Sequence, residues 1–301
     1  MLNRNVILIS AVILGLTIGD LATGTKPYTM HILMVTMLFS MTGIRTKALF
    51  PLKSIVKPMI VGTFLNYFIF GFVVILLAWF LMPSKELFYG FVVIAVAPPG
   101  VAIVPFSGIL KGNMDYSIIG VFGAFLASVI ITPLVIGIVS GSENAINPKE
   151  LIMIMLKLII LPMILSRFLL IRRIFPLVSK IRGKMVDIGF ALIIFTAVGM
   201  NRQVFFQNYD LLILISVVLL VGTFGIGSLY EYFMKKTKQR SEITTAQILL
   251  LTIKSSGFSV VTAFTLFGEK AAIPSAVLAV IVLLYLLFLS SRLEFKKLIR
   301  K

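Results

Sequence analysis

The chain has 301 residues, of which 59% are apolar and 13% charged, with a mean hydropathy of +1.09 and a formal net charge of +17 at pH 7. This composition excludes an ordinary water-soluble domain. The positive charge does not indicate nucleic-acid binding, because the lysines and arginines lie between apolar runs and form no basic face. Since cysteine is missing, disulfides, thiolate metal sites and cysteine nucleophiles are also excluded. We therefore expect a protein whose main solvent is the lipid bilayer.

Ten apolar segments, separated by charged or turn-forming residues, predict an all-α membrane protein with ten transmembrane spans and no appended soluble domain. The first segment follows Arg4 like a signal peptide, but no small-residue cleavage site comes after it, so it is predicted to be span 1. Spans 1 to 5 are Val6–Leu21, Tyr28–Ile44, Val56–Leu81, Leu87–Leu110 and Met114–Val139. Spans 6 to 10 are Leu151–Ile171, Met185–Met200, Leu211–Phe233, Thr244–Phe267 and Ala272–Leu289.

The distribution of basic residues predicts how these spans are oriented. With the N-terminus inside, 21 of the 28 lysines and arginines lie in cytoplasmic segments, 5 lie outside, and the remaining two, Lys157 and Lys254, lie within spans. Basic residues concentrate on the cytoplasmic side of membrane proteins. We therefore expect a multi-pass protein of the inner (cytoplasmic) membrane with both termini in the cytoplasm.

The two halves of the chain are predicted to be inverted repeats, residues 1–139 and 149–301. Because each half has an odd number of spans, the second half enters the membrane from the opposite side. A weak echo supports this, since span 4 contains APPGVAIVPFSGILKGN and span 9 contains IKSSGFSVVTAFTLFGE, which align at Gly100 and Gly257.

Spans 4 and 9 are both predicted to be interrupted. Prolines cannot donate backbone hydrogen bonds and clash with the preceding turn, so a continuous helix in span 4 is improbable, with a simple proline kink as the alternative. The Ser-Ser-Gly sequence of span 9 weakens a helix without forbidding it. An interruption at membrane depth is tolerated where protein or water satisfies the backbone, so it usually lines a cavity. The residues assigned to the interruptions are Pro98, Pro99, Gly100, Pro105 and Gly257.

Lys254 is predicted to lie roughly 15 Å deep, at 1.5 Å per helical residue. A charge at that depth costs about 3 kcal/mol, so the ammonium should face a partner or water, and we favour substrate or ion binding over structural pairing. Ser255, Ser256, Ser259 and Asn66 are further candidates, although serines also serve simply to pack helices together.

Other polar residues give no sign of an enzyme centre. Lys157 is predicted to lie near enough to the outer end of span 6 to reach the interface, while Asp20, His31 and Asp187 lie close to span ends. A single histidine excludes a multi-histidine metal site, and no facing aspartate pair or aspartate-rich motif occurs. We therefore predict no catalytic residue and assign no metal ligand.

Several motifs resemble those of the bile acid/sodium symporter family. They are LFSMTGIRTKALF from Leu38, APPG and LKGNMDYS in spans 4 and 5, and the SSG of span 9 followed by GEKAAIPSAV. The resemblance covers nearly the whole chain in span number and order. It implies a panel domain of spans 1, 2, 6 and 7 and a core domain of spans 3–5 and 8–10, with the interrupted spans 4 and 9 crossing. It also implies transport of small organic anions, such as bile acids and keto acids, usually with sodium.

The sodium-binding positions of the family are where this chain departs from the resemblance. Family members carry a Ser-Asn pair in span 4, glutamate and glutamine in span 9, serine and threonine in span 5, and glutamine in span 3. In this chain the resemblance assigns those positions, in the same order, to Ile103, Val104, Leu250, Lys254, Ser117, Val121 and Asn66. Most of the oxygen ligands that sodium would need are therefore missing.

We hypothesise a secondary active transporter of a small organic anion, working by alternating access, in which Lys254 supplies the positive charge that sodium would otherwise bring. The expected partners are the anion and the lipid bilayer, with no organic cofactor and with sodium or a proton left open as the coupling cation. Alternatives are a sodium-coupled symporter of the same family, a carrier like the auxin efflux or cation/proton antiporters, and a member that no longer transports. An antiporter should have an acidic residue at the midplane, and the predicted span boundaries place none there. No residue pattern indicates the oligomeric state.

Overall fold

The computed structural model describes residues 4–44, 52–100, 102–140, 148–237 and 239–299. Within these ranges the protein consists of helices and their connections, with no β-strand. The helices of the first half are α1 (Arg4–Thr17), α2 (Ala22–Thr25), α3 (Thr29–Met41), α4 (Leu52–Thr63), α5 (Phe70–Leu81), α6 (Lys85–Val96), α7 (Ile103–Ile109) and α8 (Met114–Ser140). Those of the second half are α9 (Pro148–Met155), α10 (Leu161–Phe168), α11 (Phe175–Met200), α12 (Arg202–Gln207), α13 (Tyr209–Leu220), α14 (Ile226–Lys236), α15 (Ser241–Thr252), α16 (Ser256–Phe267) and α17 (Glu269–Ile299).

Three of these helix pairs are continuous through short π-helical segments, which hold one extra residue in a turn. The segments Phe64–Ile69, Leu156–Ile160 and Val221–Gly225 join α4 to α5, α9 to α10, and α13 to α14. Each of the ten apolar segments recognised in the sequence coincides with helical structure, and the segments named spans 4 and 9 are each split into two helices.

The largest difference from the predicted boundaries is at α11. This helix begins at Phe175, whereas the apolar run predicted a start at Met185. The basic stretch 180–184 is helical because lysine and arginine are good helix formers, and hydropathy recognises only the apolar part of a helix. As a consequence, Asp187 lies in the middle of α11, and its predicted place close to a helix end was wrong.

Within the part of the chain that the structure describes, five helical stretches are long and apolar enough to cross a membrane, and a bent pair would make six. The five are Ile55–Leu81, Met114–Val139, Phe175–Met200, Tyr209–Lys236 and Glu269–Leu293. The bent pair, Val6–Thr17 with Gly19–Met41, turns through 97°. Large side chains such as Phe72, Trp79 and Phe80 are exposed on these helices, as expected of surfaces that contact lipid. The chain is therefore a multi-pass membrane protein, while the full count of ten crossings stays a prediction.

The helices pack in two groups. In the first helix group, α11 packs against α1 and α3, and α3 also packs against α10. In the second helix group, which comprises α4–α8 and α13–α17, the main contacts are α4 with α8, α5 with α6, and α17 with both α6 and α16. The two groups meet where α11 packs against α16 and α17.

Glycines allow the closest helix contacts in the second helix group. A Cβ added at Gly62 of α4 would lie 2.9 Å from the Cα of Gly120 in α8. A Cβ added at Gly90 of α6 would lie 2.2 Å from the carbonyl oxygen of Ala271 in α17. Small residues that let backbones approach are a common means of packing helices in membranes, where the hydrophobic effect does not drive helix association.

Candidate functional site

Two interrupted helices cross near the centre of the second helix group. Residues 97–100 after α6 and residues 253–255 between α15 and α16 leave the helical conformation, and the two stretches pair in antiparallel fashion at Pro99 and Lys254. Gly100 N–H donates to the carbonyl of Ile253 at 2.9 Å, and Ser255 N–H donates to the carbonyl of Pro98 at 3.0 Å. Backbone groups that each interruption frees are therefore satisfied by the other interruption, as a low-dielectric interior requires.

The first interruption follows from its prolines and glycine. Ala97, which precedes Pro98, is extended with ψ 144°, as expected of a residue before proline. Gly100 permits the crossing, because a Cβ there would lie 3.0 Å from Ile253 Cγ2 and 3.1 Å from the carbonyl oxygen of Lys254. Pro105, by contrast, lies in the first turn of α7. Backbone N–H groups in the first turn of a helix have no acceptor within the helix, so a proline there costs no hydrogen bond. The prediction that Pro105 takes part in the interruption itself was wrong.

The second interruption lies slightly before the predicted Ser-Ser-Gly sequence. It comprises Ile253–Ser255, while Ser256 and Gly257 already belong to the first turn of α16. Gly257 instead serves a contact with the first helix group, since a Cβ there would lie 3.0 Å from ring atoms of Phe190 in α11. The small size of residue 257 thus matters for the packing between the two groups.

Lys254 lies within the crossing with only 2% of its surface exposed. Its Nζ lies 2.7 Å from Asn66 Oδ1, 3.0 Å from the Asn66 carbonyl oxygen, and 2.8 Å from each of the carbonyl oxygens of Ala95 and Ala97, so its three N–H groups are shared among four acceptors. The rings of Tyr67 and Phe70 have their centres 4.6 and 5.2 Å from the same nitrogen. The ammonium is therefore held by uncharged oxygens and by two aromatic faces, which attract cations.

The local structure explains why these oxygens are available. Ala95 and Ala97 lie at the C-terminal end of α6, where carbonyls lack helical partners and carry the negative end of the helix dipole. In an α-helix the carbonyl of Asn66 would accept from Phe70 N–H. In the π-helical segment Phe70 N–H donates to Leu65 instead, which leaves the Asn66 oxygen able to accept from Lys254.

The amide of Asn66 is itself fixed by the second interrupted helix. Its Nδ2 donates to the carbonyl of Leu250 in α15 at 3.0 Å, which also establishes that Oδ1 points to Lys254. Of the residues predicted for the site, the structure thus brings Asn66 and Lys254 into direct contact, although they are 188 positions apart in the chain.

The predicted serines differ in their surroundings. The hydroxyl of Ser255 is buried and has no hydrogen-bond partner among the described residues. Ser256 begins α16, and its carbonyl accepts from the hydroxyl of Ser259 at 3.0 Å. Ser117 in α8 shares a hydrogen bond of 2.9 Å with Ser107 in α7. Ser259 and Ser117 therefore have satisfied hydroxyls, whereas the Ser255 hydroxyl has no hydrogen-bond partner in the described part of the chain.

Two cavities lie where the helix groups face each other. A small one, of about 60 Å³, is lined by Lys254, Ser255 and Ser256 at the crossing, with apolar walls that include Phe190 and Leu286. A larger one, of about 280 Å³, lies between the end of α3 and the N-terminal half of α11 on one side and α7 and α8 on the other. Its lining residues are Ser40, Met41, Gly43, Ile44, Val104, Pro105, Val121, Phe125, Arg182, Gly183, Val186 and Asp187.

The positions at which the family resemblance puts sodium ligands are mostly apolar in their surroundings as well as in their chemistry. Val104 and Val121 form part of the wall of the larger cavity, and Ile103 is fully buried. The side chain of Leu250 lies against Gly120 of α8. Among the described residues, no three His, Cys, Asp or Glu side chains are grouped so as to hold a metal ion. Five of the seven positions therefore offer no side-chain oxygen to a sodium ion, whereas Ser117 and Asn66 do.

Sequence reasoning missed several residues around the crossing. Tyr67 and Phe70 look like ordinary apolar residues of span 3, and nothing in their spacing indicates contact with Lys254. Gln247 is buried in α15, where its Nε2 donates to Tyr116 at 2.9 Å and its Oε1 accepts from Tyr230 at 2.9 Å. A buried glutamine within an apolar segment was a signal that could have been noticed. Lys157, by contrast, is exposed on the surface, away from the crossing.

Comparison with known proteins identifies the family. The family model described as the sodium bile acid symporter family matches residues 28–208, more than half of the chain. A curated relative, the uncharacterized sodium-dependent transporter YocS of Bacillus subtilis (strain 168), is 26% identical over 238 residues, which cover 74% of this chain and 70% of that protein. With its apolar helices and its crossed interruptions, the chain belongs to the sodium bile acid symporter family and is a membrane transporter, not an enzyme.

Proposed function

We propose that this protein is a secondary active transporter of a small organic anion, in which the ammonium of Lys254 is the internal cation of the binding region. It works by alternating access across the cytoplasmic membrane, with ten crossings in two inverted repeats and both termini in the cytoplasm. The panel domain corresponds to the first helix group and the core domain to the second.

The observation that carries this proposal is the setting of Lys254. Its ammonium contacts four uncharged oxygens and two aromatic rings, so the positive charge is stabilised without being neutralised by a carboxylate. In a medium of low dielectric constant, such a charge acts over several ångströms. An anion bound at the crossing would gain from this charge, whereas a second cation would be repelled.

An anion has suitable contacts beside Lys254. Ser255 lines the small cavity, and its buried hydroxyl has no hydrogen-bond partner among the residues that the structure describes; α16, a helix of 12 residues, begins at the next residue. The free N–H groups and the positive dipole end of a helix favour negative charge. The walls around them are apolar, which suits an anion with a hydrocarbon body.

The inverted repeat is supported by corresponding irregularities in the two halves. The shift that aligns Gly100 with Gly257 also aligns Asn66 with Thr223, and each of these two lies in a π-helical segment within the span that comes before an interrupted span. A duplicated unit would retain π-helical segments and interruptions at equivalent places in both halves.

Alternating access is supported by the two helix groups and by the larger cavity between them. A rigid movement of one group against the other could expose the crossing to either side in turn. The π-helical segments Phe64–Ile69 and Val221–Gly225 and both interruptions lie within the second helix group, so the binding region would move with that group.

The test is a thermal-shift screen of the purified protein with short-chain carboxylates and keto acids, each with and without sodium. A bound anion stabilises the folded state and raises the melting point. We expect one or more anions to raise it equally in sodium and in potassium buffer. Ser255→Ala should keep the melting point without anion, because its hydroxyl has no partner to lose, and should reduce the anion-induced shift. Ser259→Ala is the matched control and should leave the shift unchanged.

Uptake into proteoliposomes then tests transport itself. The stabilising anion should be taken up without a sodium gradient by the wild type and not by Lys254→Met. Full uptake by Lys254→Met, or a strict sodium requirement in the wild type, would contradict the role of Lys254.

The second candidate function is a sodium-coupled symporter. It is favoured by the family match and by the description of YocS as sodium-dependent. In that case sodium would be a co-substrate held mainly by backbone carbonyls, and sodium alone would raise the melting point of the wild type. The same screen therefore distinguishes the two functions.

A further inference from the structure

The two helix groups are joined at one end by a charged contact. Lys26, in the turn between α2 and α3, has its Nζ 2.5 Å from Oε1 of Glu269, the first residue of α17. The same nitrogen lies 5.8 Å from the centre of the Phe264 ring, near the end of α16. One side chain next to the first helix group thus contacts two helices of the second.

The opposite end of the molecule is arranged differently. There the larger cavity lies between the two groups, with Ile44 and Arg182 on one side and Val104 and Val121 on the other. The distribution of basic residues places this end in the cytoplasm and places Lys26 outside. The groups therefore touch at the outer end and leave space between them at the inner end, as in a carrier that is open to the cytoplasm.

We propose that Lys26, Glu269 and Phe264 form an outer latch, which closes the external side of the carrier and opens when the protein turns outward. The proposal rests on the proposed function, because only a carrier that alternates needs such a closure. The side chains of Lys26 and Glu269 are 44% and 48% exposed, so water and salt weaken their attraction. A weak contact suits this role, because the latch must break in every transport cycle.

The absence of cysteine from the chain makes the latch directly testable. Val260→Cys introduces a single thiol one helical turn below Phe264, at a position buried in the cluster that also contains Leu33 and Ile193 of the first helix group. In intact cells, a membrane-impermeant maleimide reaches this thiol only when the external side opens. The rate of labelling therefore reports how often the latch is open.

Removing either charge should speed labelling about two- to fivefold, the range expected for loss of an exposed ion pair. Glu269→Gln and Lys26→Met are both measured in the Val260→Cys background, so that the test can still be made with one variant if the other misfolds. The exchanged pair, Lys26→Glu with Glu269→Lys, should restore the slow rate. Asp20→Asn is the matched control, because it breaks the 2.8 Å ion pair with Arg202, which does not involve α17.

Labelling that is unchanged in both charge-removal variants, or equally fast in Asp20→Asn, would overturn the latch. Because labelling requires no substrate, the outcome is independent of the anion experiments. If labelling responds as expected but no anion binds, the latch and alternating access stand, and the anion substrate of the proposed function fails. If anion binding depends on Lys254 and labelling does not respond, the proposed function stands and the latch fails.

Discussion

Replacing Asn66 by leucine should destabilise the protein more than replacing its charged partner Lys254 by methionine. The Asn66 side chain accepts from the ammonium at 2.7 Å and donates to the carbonyl of Leu250 at 3.0 Å. Loss of a hydrogen bond to a charged group costs about 1.5–3 kcal/mol and loss of a neutral one about 0.5–1.5 kcal/mol. Asn66→Leu should therefore cost about 2–4 kcal/mol, since the ammonium stays buried with fewer partners.

Lys254→Met involves two opposing effects. Three main-chain carbonyls lose their donor, at about 1–3 kcal/mol for each that stays unsatisfied. The substitution also removes a buried ammonium, whose desolvation costs several kcal/mol. Because these effects are similar in size and opposite in sign, we expect a net change within about 2 kcal/mol of zero.

The double variant distinguishes this reasoning from simple packing. Once Lys254 is replaced, Asn66→Leu no longer removes a charged hydrogen bond, so its cost should fall by about 1.5–3 kcal/mol. Unfolding free energies can be measured by denaturant titration in micelles, with the fluorescence of the single tryptophan, Trp79, as the probe. Trp79 lies in α5 and packs against Phe88 of α6, so its signal reports separation of the helices that surround the site.

Asn201→Leu provides the matched control. Asn201 follows the last residue of α11, and its Nδ2 donates to the carbonyl of Ala197 in the last turn of that helix at 2.9 Å. This bond has no link to Lys254, so Asn201→Leu and Lys254→Met should be additive. If Asn66→Leu and Lys254→Met also add to within about 0.5 kcal/mol, the proposed network around the ammonium is refuted.

Two further predictions concern packing and ion dependence. Gly90→Ala should destabilise the folded protein by about 3 kcal/mol or more, because the new methyl group would lie 2.2 Å from the carbonyl oxygen of Ala271. Gly137 has open space around it, so Gly137→Ala should be neutral or should stabilise the protein by up to about 1 kcal/mol. Thermal unfolding of both variants checks this, and equal melting points would contradict the helix contact. Leu250→Glu combined with Lys254→Gln restores two of the oxygen-bearing residues of the family, so sodium should raise the melting point of this variant and leave the wild type unchanged; an equal response of both proteins would contradict the assignment of these positions.

Local chemistry made much of the fold predictable. The apolar segments were recognisable because the bilayer demands about 20 apolar residues for each crossing, and the first interruption because Pro98 and Pro99 cannot continue a helix. The second interruption was harder to place. Serine and glycine only weaken a helix, so the start of α16 at Ser256 depends on the backbone hydrogen bonds across the crossing.

The surroundings of Lys254 were only partly predictable. Its depth in an apolar segment indicated that it needs partners, and Asn66 was named as a candidate from its position in span 3. That the main-chain oxygen of Asn66 also takes part could not be foreseen, since the π-helical turn that frees it has no sequence signature. The aromatic side chains of Tyr67 and Phe70 likewise could not be distinguished, from the sequence, from the other apolar residues of that span.

Sequence alone determined that the chain is a membrane protein, that one of its apolar segments must be interrupted, and that a lysine lies deep within another apolar segment. These properties depend on the solvent preference and hydrogen-bonding capacity of individual residues, which are independent of their distant neighbours. Only the tertiary structure decided what the lysine contacts and where the two helix groups touch. Those contacts join residues far apart in the chain, and they are selected by the close packing of backbones, which a linear sequence does not display.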